Sequence, residues 1–347
     1  MQIRRRLRLA IFTAVLLECS VSIVAAQTPS QVFDPAPVQT QPSLSETSLT
    51  PTSFTMPLGE CVDEAPFPQS QNPYTSQEAM PPGLLSGVGA HQIISPTWRW
   101  TLLPQGFLYR TYWASAAEPR LSTQYLKDVG GQRYLDSHIG GRIGLVRFGE
   151  RYAEEGFQLD ILGGAKLRQD AENNLDMTGT DYRYDIPLTY RRGPHAWKFG
   201  FYHVSSHAGD EYMVRHPTFN RIDYYRDSLY LGYSYNPSPE LRIYGEADYA
   251  FSRDFAEPWH FQFGFDYGPA HPTGIRGAPF FAINGHLREE LDFGGNVNLQ
   301  AGWAWRGEGL NAGTLRTGLF FYNGGSPQYT FYDNSEQQIG WGLWYDF

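Results

Sequence analysis

Residues 197–207 contain the side chains of this chain that are best suited to chemistry. They read as a strand, in which alternate residues share a face, so His203 and Ser205 project from the same side as Trp197 and Phe199. A serine hydroxyl beside an imidazole can act as a nucleophile with its general base, the combination that cleaves esters. Residues two apart on a strand are about 6.7 Å apart at the backbone, so the imidazole can lean toward the hydroxyl. What the pair would meet depends on what this face contacts.

The chain has 347 residues and begins like a secreted protein. Four arginines precede an apolar run from Leu9 to Ala25, and small residues precede Gln27, so residues 1–26 are predicted to be a signal peptide. The whole chain has a formal net charge of −9, and removing this leader, which carries a net +3, leaves −12. Such an acidic protein is a poor nucleic-acid binder. Only Cys61 then remains, which excludes an internal disulfide and a cysteine zinc site.

The segment after the leader lacks the pattern of a folded core. From Gln27 to about Gly59 it is rich in Gln, Thr, Pro and Ser, without apolar periodicity, which predicts disorder. The apolar patches between residues 61 and 116 follow no clear period. We therefore assign residues 27–95 to a largely disordered periplasmic linker and residues 96–347 to one folded domain.

From about residue 118 the pattern has a period of two. In 156–167, Phe157, Leu159 and Ile161 alternate with polar residues, and the other segments behave alike. These segments are about 10–14 residues long, carry aromatic residues toward their ends, and oppose an apolar face to a charged one. This pattern is typical of outer-membrane barrels, with lipid on one side and a polar lumen on the other. The alternation continues to the final Phe347, which resembles the C-terminal recognition signal of such barrels.

The fold is therefore predicted to be all-β, a transmembrane antiparallel outer-membrane β-barrel of about 12 strands behind a disordered N-terminal segment. An even strand number is usual for bacterial barrels. With the C-terminus at the periplasmic side, strand 196–207 runs outward and loop 208–220 is extracellular. His203 and Ser205 then face the outer-leaflet interface, where lipid esters lie. The predicted strands are 119–127, 136–148, 156–167, 180–191, 196–207, 221–235, 240–253, 258–268, 277–287, 294–306, 313–323 and 336–347.

Around this pair the chain resembles the outer-membrane phospholipase A family, a twelve-stranded barrel with an outward His-x-Ser pair and an Asn on the next strand. His203-Val-Ser205 matches the pair and Phe219-Asn220-Arg221 resembles the aromatic-Asn-Arg segment. The resemblance implies that Ser205 is the nucleophile, His203 the general base and Asn220 the orienting residue. It departs after the serine, where that family has Asn-Gly and this chain has Ser206-His207.

Strand parity leaves the third residue open. If Leu229 faces lipid, strict alternation turns Asn220 inward and places Asp223 and Asp227 outward, where carboxylates are costly. A β-bulge near Arg226-Asp227 would flip the upper strand, putting Asn220 and Tyr224 outside and Asp223 inside. We predict that bulge; without it, Asp223 is the candidate third member.

A second resemblance covers about residues 95–347 and is to the bacterial family called domain of unknown function 1207. It implies the barrel and no activity. The segments that carry it are Trp98-Arg-Trp100, Glu118-Pro-Arg120, Pro187-Leu-Thr-Tyr190 and Tyr202-His-Val-Ser-Ser-His-Ala-Gly-Asp-Glu-Tyr212.

The end of strand 196–207 and the loop after it contain side chains with oxygen atoms that could bind a metal ion. Ser206, Asp210 and Glu211 can hold Ca²⁺, although an adjacent acidic pair in a loop is more often simply solvated. No other cofactor is indicated.

Three functions remain open: a non-catalytic structural or binding barrel, slightly favoured by the residues alone; a phospholipase-like lipid-ester hydrolase; and a diffusion pore lined by polar residues. The expected partners are outer-membrane lipids and the barrel-assembly machinery, which would read the strand ending in Phe347.

Overall fold

A computed structural model describes residues 97–150, 153–309 and 312–347. The predicted signal peptide and the predicted linker, residues 1–26 and 27–95, lie outside the described residues. None of the described helices has the length and apolarity needed to cross a membrane.

The described part of the chain is mostly strand, as the period of two predicts. The bounds agree with the twelve predicted strands to within a few residues, and one short strand at the start, β1, was not predicted because the residues around it have no clear period. A short helix, α1 (Asp210–Arg215), lies between β6 and β7. The strands are β1 (Arg99–Leu102), β2 (Leu121–Asp128), β3 (Arg133–Gly149), β4 (Gly156–Asp170), β5 (Asp176–Arg192), β6 (His195–Ala208), β7 (Tyr224–Tyr235), β8 (Leu241–Asp254), β9 (Trp259–Tyr267), β10 (Ala278–Arg288), β11 (Gly295–Arg306), β12 (Thr314–Gly325) and β13 (Ser335–Asp346).

Strands β2 to β13 form a closed antiparallel barrel of twelve strands, which confirms the predicted fold class. Each strand pairs with the next along the chain, and the barrel closes where β13 pairs with β2, from Gln338↔Asp128 to Tyr345↔Leu121. Closure satisfies the backbone hydrogen bonds that an open sheet edge would leave unpaired. Strand β1 pairs outside this order, with the last residues of β3.

The two faces of the wall differ as predicted. Large apolar side chains such as Leu188, Phe199 and Leu231 are about half exposed on the outer surface, whereas their polar neighbours Lys198 and Thr189 are buried in the lumen. An outer surface of this composition is suited to lipid. We call the rim near Phe347 the C-terminal rim and the opposite one, where the β6–β7 loop lies, the distal rim.

The lumen is filled by residues 106–120, which are mostly buried and which we call the inner segment. Tyr112 stacks on Tyr244 with ring centroids 3.9 Å apart. The Lys198 ammonium lies 2.9 Å from a carboxylate oxygen of Glu118 on the inner segment and 2.7 Å from one of Glu246 on the wall. Removal of one partner from such a buried ion pair destabilises a protein strongly, because the other charge is then left buried without compensation.

Arg120 fixes the shape of the inner segment where it returns to the wall. Its guanidinium donates hydrogen bonds to the carbonyls of Trp113, Tyr112 and Ser115 at 2.5, 2.7 and 3.0 Å. One of its nitrogens lies 3.4 Å from a carboxylate oxygen of Asp346 on β13. The inner segment is thus tied to the strand that closes the barrel.

The lumen is also occupied from the distal rim. The turn between β12 and β13 folds inward, with Tyr329 and Phe331 buried and Tyr329 stacked on Tyr224 at 4.9 Å. A cavity left beside Arg120 and Lys166 has a volume of about 20 Å³, which is room for about one water molecule. Side chains of the described residues thus pack in the part of the lumen where the alternative of a diffusion pore would require an open channel.

Candidate active site on the outward face

Strand β6 places His203 and Ser205 on the outer surface of the barrel. Along this strand the even-numbered residues from Ala196 to Ala208 are buried, and the odd-numbered ones are partly or fully exposed. The alternation is regular because the strand pairs without interruption with β5 on one side and β7 on the other. His203, Ser205 and His207 therefore form one outward column that approaches the distal rim.

The His203 imidazole is held by a carboxylate of the neighbouring strand. His203 stands directly opposite Asp227 on β7, and its Nδ1 lies 2.6 Å from Asp227 Oδ1. Both side chains are partly shielded, with 27% and 24% of their surfaces exposed. On the other side the imidazole stacks on the Tyr184 ring of β5 at 5.3 Å. The ring is thus oriented from both neighbouring strands.

The predicted flip of the upper part of β7 is wrong. Tyr224, Arg226 and Ser228 are all buried inward, so this strand keeps its alternation and Asp227 stays on the outer surface. The irregularity lies in the pairing of β7 with β8, between Asp227 and Ser228, and the extra residue is Phe251 of β8. Sequence reasoning missed Asp227, although strict alternation from Leu229 pointed to it.

The two predicted third residues lie elsewhere. Asn220 is exposed in the β6–β7 loop. Asp223 precedes β7, and its carboxylate is 3.5 Å from the Arg221 guanidinium, with 75% of its side chain exposed. The structure brings neither of them to His203. Both residues precede Tyr224, where β7 and its pairing with β6 begin, so they lie in the loop and not beside the His203 row.

Ser205 sits between two tyrosines. Its direct cross-strand neighbours are Tyr182 on β5 and Tyr225 on β7. Directly opposite residues on one sheet face have Cβ atoms about 4.5–5.5 Å apart. The Ser205 hydroxyl makes no hydrogen bond within residues 97–150, 153–309 and 312–347, so it is not yet engaged with the imidazole. Catalytic hydrogen bonds are often long in a free enzyme and tighten with substrate.

The outward column on β6 changes from apolar to polar residues between Phe201 and His203. Toward the C-terminal rim, Phe201 is flanked by Ile186 and Leu229, and Phe199 by Leu188 and Leu231, all of them apolar. The polar rows begin immediately above this pair of rows, at His203 and then at Ser205. The His203 and Ser205 rows therefore lie at the boundary between an apolar and a more polar part of the outer surface.

The calcium ligands predicted from the loop are not brought together. Ser206 faces the lumen, where its hydroxyl donates a hydrogen bond to Asp181 and accepts one from the backbone N–H of Thr330. Asp210 and Glu211 are exposed in the first turn of α1. Adjacent strand residues point to opposite faces, so Ser206 cannot serve the outward site. Among the described residues, no group of three or more His, Cys, Asp or Glu side chains is arranged to hold a metal ion.

A family model described as Protein of unknown function (DUF1207) matches residues 59–347, which is most of the chain. No curated protein matches the chain.

Several solved outer-membrane barrels are similar in fold. The calcium-bound outer membrane phospholipase dimer of Salmonella typhi is 12% identical with a TM-score of 0.46, and the match covers 65% of this chain and 90% of that one. Outer membrane phospholipase A from Escherichia coli is 10% identical with a TM-score of 0.44, covering 65% and 92%. The KdgM porin is 9% identical with a TM-score of 0.36, covering 65% and 98%.

Proposed function

This chain belongs to the DUF1207 family of proteins of unknown function, and we propose that it is an outer-membrane barrel that hydrolyses lipid esters at Ser205, His203 and Asp227. The observation that carries the proposal is the hydrogen bond between the His203 imidazole and the Asp227 carboxylate on the outer surface, 2.6 Å long. This contact favours the hydrolase over a non-catalytic barrel, because it supplies the third residue that the sequence left open.

A carboxylate on the lipid-facing side needs a reason. Charged residues in the membrane region are costly and usually face a bundle or barrel interior. Most strand carboxylates of this barrel obey that rule, and Asp160, Asp185 and Asp248 are all buried in the lumen. Asp227 faces outward beside the His203 imidazole, which shares a column with a serine two residues away. A structural role alone does not explain this arrangement.

The geometry assigns a role to each residue. The bond from Asp227 to Nδ1 holds the imidazole in the tautomer whose Nε2 is free to accept a proton. Ser205 Oγ attacks the acyl carbonyl carbon while its proton passes to His203 Nε2. When the ester C–O bond breaks, that proton goes to the leaving alcohol and the acyl group stays on Oγ. Water, deprotonated by the same imidazole, then releases the fatty acid and restores the serine.

The position of the site suits a substrate held in a bilayer. Acyl chains lying along the apolar rows of Phe201 and Phe199 would bring their ester groups to the height of His203 and Ser205. A lipid would reach the site from the membrane and not through the packed lumen. Outer-membrane lipids are therefore the proposed substrates and partners, and the barrel-assembly machinery is the proposed reader of the strand that ends at Phe347.

The test is fatty acid release from phospholipid in mixed detergent micelles, with and without added Ca²⁺. We expect wild-type protein to release fatty acid and Ser205→Ala to lower kcat at least roughly 10³-fold, the scale of losing a serine nucleophile. Ser137→Ala is the matched control, because Ser137 is also an outward serine, on β3, with its hydroxyl 3.5 Å from that of Thr123. Equal release by wild type and Ser205→Ala, or none by wild type, contradicts the proposal.

A further inference from the structure

Ester cleavage by a serine needs hydrogen-bond donors for the negative charge that forms on the carbonyl oxygen. Many enzymes use backbone N–H groups for this purpose. Here β6 is paired continuously with β5 and with β7 around Ser205, so its backbone N–H groups are used in the sheet and lie in the plane of the wall. Donors on the outer surface must therefore come from side chains.

Two side chains stand in the required place. Tyr182 and Tyr225 flank Ser205 in one cross-strand row, on β5 and β7 respectively. Tyr182 is about half exposed, and Tyr225 is partly buried. In the part of the chain that the structure describes, neither phenolic hydroxyl makes a hydrogen bond, so each keeps a donor available. A phenol reaches further from the wall than a serine, toward the height at which a bound carbonyl oxygen would lie.

We propose that the hydroxyls of Tyr182 and Tyr225 form the oxyanion hole of the Ser205 site. This inference rests on the proposed function. As the bond from Ser205 Oγ to the carbonyl carbon forms, the π electrons of the carbonyl move onto its oxygen, and the two phenolic O–H groups donate to that oxyanion. The electrons return when the ester C–O bond breaks, and both tyrosines remain protonated throughout.

The arrangement separates the two rows by function. The row of His203 contains the base, its carboxylate partner and the Tyr184 ring that supports the imidazole. The row of Ser205 contains the nucleophile and the two proposed donors. His207, one row nearer the distal rim, is two residues from Ser205 along the strand, and its ring is 6.2 Å from that of Tyr182.

The experiment replaces each hydroxyl and keeps each ring. Tyr182→Phe and Tyr225→Phe should each lower kcat about 10-fold or more, and the double variant about 10²–10³-fold, the range for loss of oxyanion donors. KM should stay within about twofold, because the oxyanion exists only in the transition state. Tyr267→Phe is the control, because Tyr267 is an outward tyrosine of similar exposure on β9, away from the site, and this variant should retain wild-type kcat.

Several results would overturn the proposal. These are a double variant with wild-type kcat, a rise in KM at unchanged kcat, or an equal loss in Tyr267→Phe, which would point to a general role of the aromatic surface. Failure of this inference is distinguishable from failure of the hydrolase. If Ser205→Ala is inactive while the double Phe variant is fully active, only the oxyanion assignment is wrong. If no hydrolysis depends on Ser205, both fall.

Discussion

Removal of the Asp227 carboxylate should slow the reaction without unfolding the barrel. The hydrogen bond to His203 is short and charge-assisted, and both side chains keep about a quarter of their surfaces exposed, so solvent screens it in part. Hydrogen bonds to charged groups contribute about 1.5–3 kcal/mol. At about 1.4 kcal/mol per tenfold in rate, Asp227→Ala should lower kcat roughly 10- to 150-fold. Asp227→Asn, which keeps an oxygen acceptor but no charge, should lose about half that free energy.

The assay is a double-mutant cycle on kcat for fatty acid release, with wild type, His203→Ala, Asp227→Ala and the double variant. Because Asp227 acts only through the imidazole, the double variant should be no slower than His203→Ala within about twofold. Retained heat-modifiable migration on gels shows that each variant is folded. Additive losses in the cycle, or wild-type kcat in Asp227→Ala, would refute the orienting role of the carboxylate.

Other predictions concern the lumen and assembly. Lys198→Met leaves two buried glutamates without their cation and should reduce the free energy of unfolding by about 3–5 kcal/mol in guanidinium titrations. The control Lys127→Met replaces an exposed lysine and should leave the free energy of unfolding unchanged. Equal effects of the two substitutions would contradict the ion-pair argument. Replacing residues 104–119 with a Gly-Ser linker of equal length should convert a silent planar bilayer into a conducting one, whereas a conducting wild type would contradict the packed lumen. Ser206→Ala should lower the free energy of unfolding, because its buried hydroxyl links Asp181 to Thr330, and added Ca²⁺ should affect hydrolysis by this variant and by wild type equally. A different response of the two proteins to Ca²⁺ would restore Ser206 as a calcium ligand. Deletion of Phe347 should reduce the folded barrel recovered in outer-membrane fractions, and unchanged recovery would exclude its part in assembly.

The strands could be predicted because each one has an alternating pattern of apolar and polar residues within its own sequence. A strand between lipid and a polar lumen must alternate residue by residue, so segments such as 258–268 and 294–306 were placed to within one residue of β9 and β11. The inner segment could not be predicted in the same way. Tyr112, Trp113 and Arg120 contact many strands around the lumen, and contacts of that kind impose no period on the sequence.

The candidate site shows the same division. The His203-Val-Ser205 pair and its outward direction follow from the residues themselves, because parity on one strand is a local property. The residue that hydrogen-bonds to His203 depends on the register between β6 and β7. These strands are joined by a long loop, and no local sequence pattern specifies their register. The family resemblance favours Asn220, and the cost of carboxylates in lipid favours a bulge on β7. The structure keeps Asp227 outward and places the extra residue, Phe251, on β8.

The sequence by itself thus determined a barrel of twelve strands, the two faces of its wall and an outward His-Ser pair, because alternation records what each face contacts. Only the tertiary structure decided that the lumen is filled, that Asp227 holds the imidazole, and that Tyr182 and Tyr225 flank the serine. The physical reason is that these features are contacts between strands and segments distant along the chain. Their partners are set by register and closure, which belong to the whole barrel.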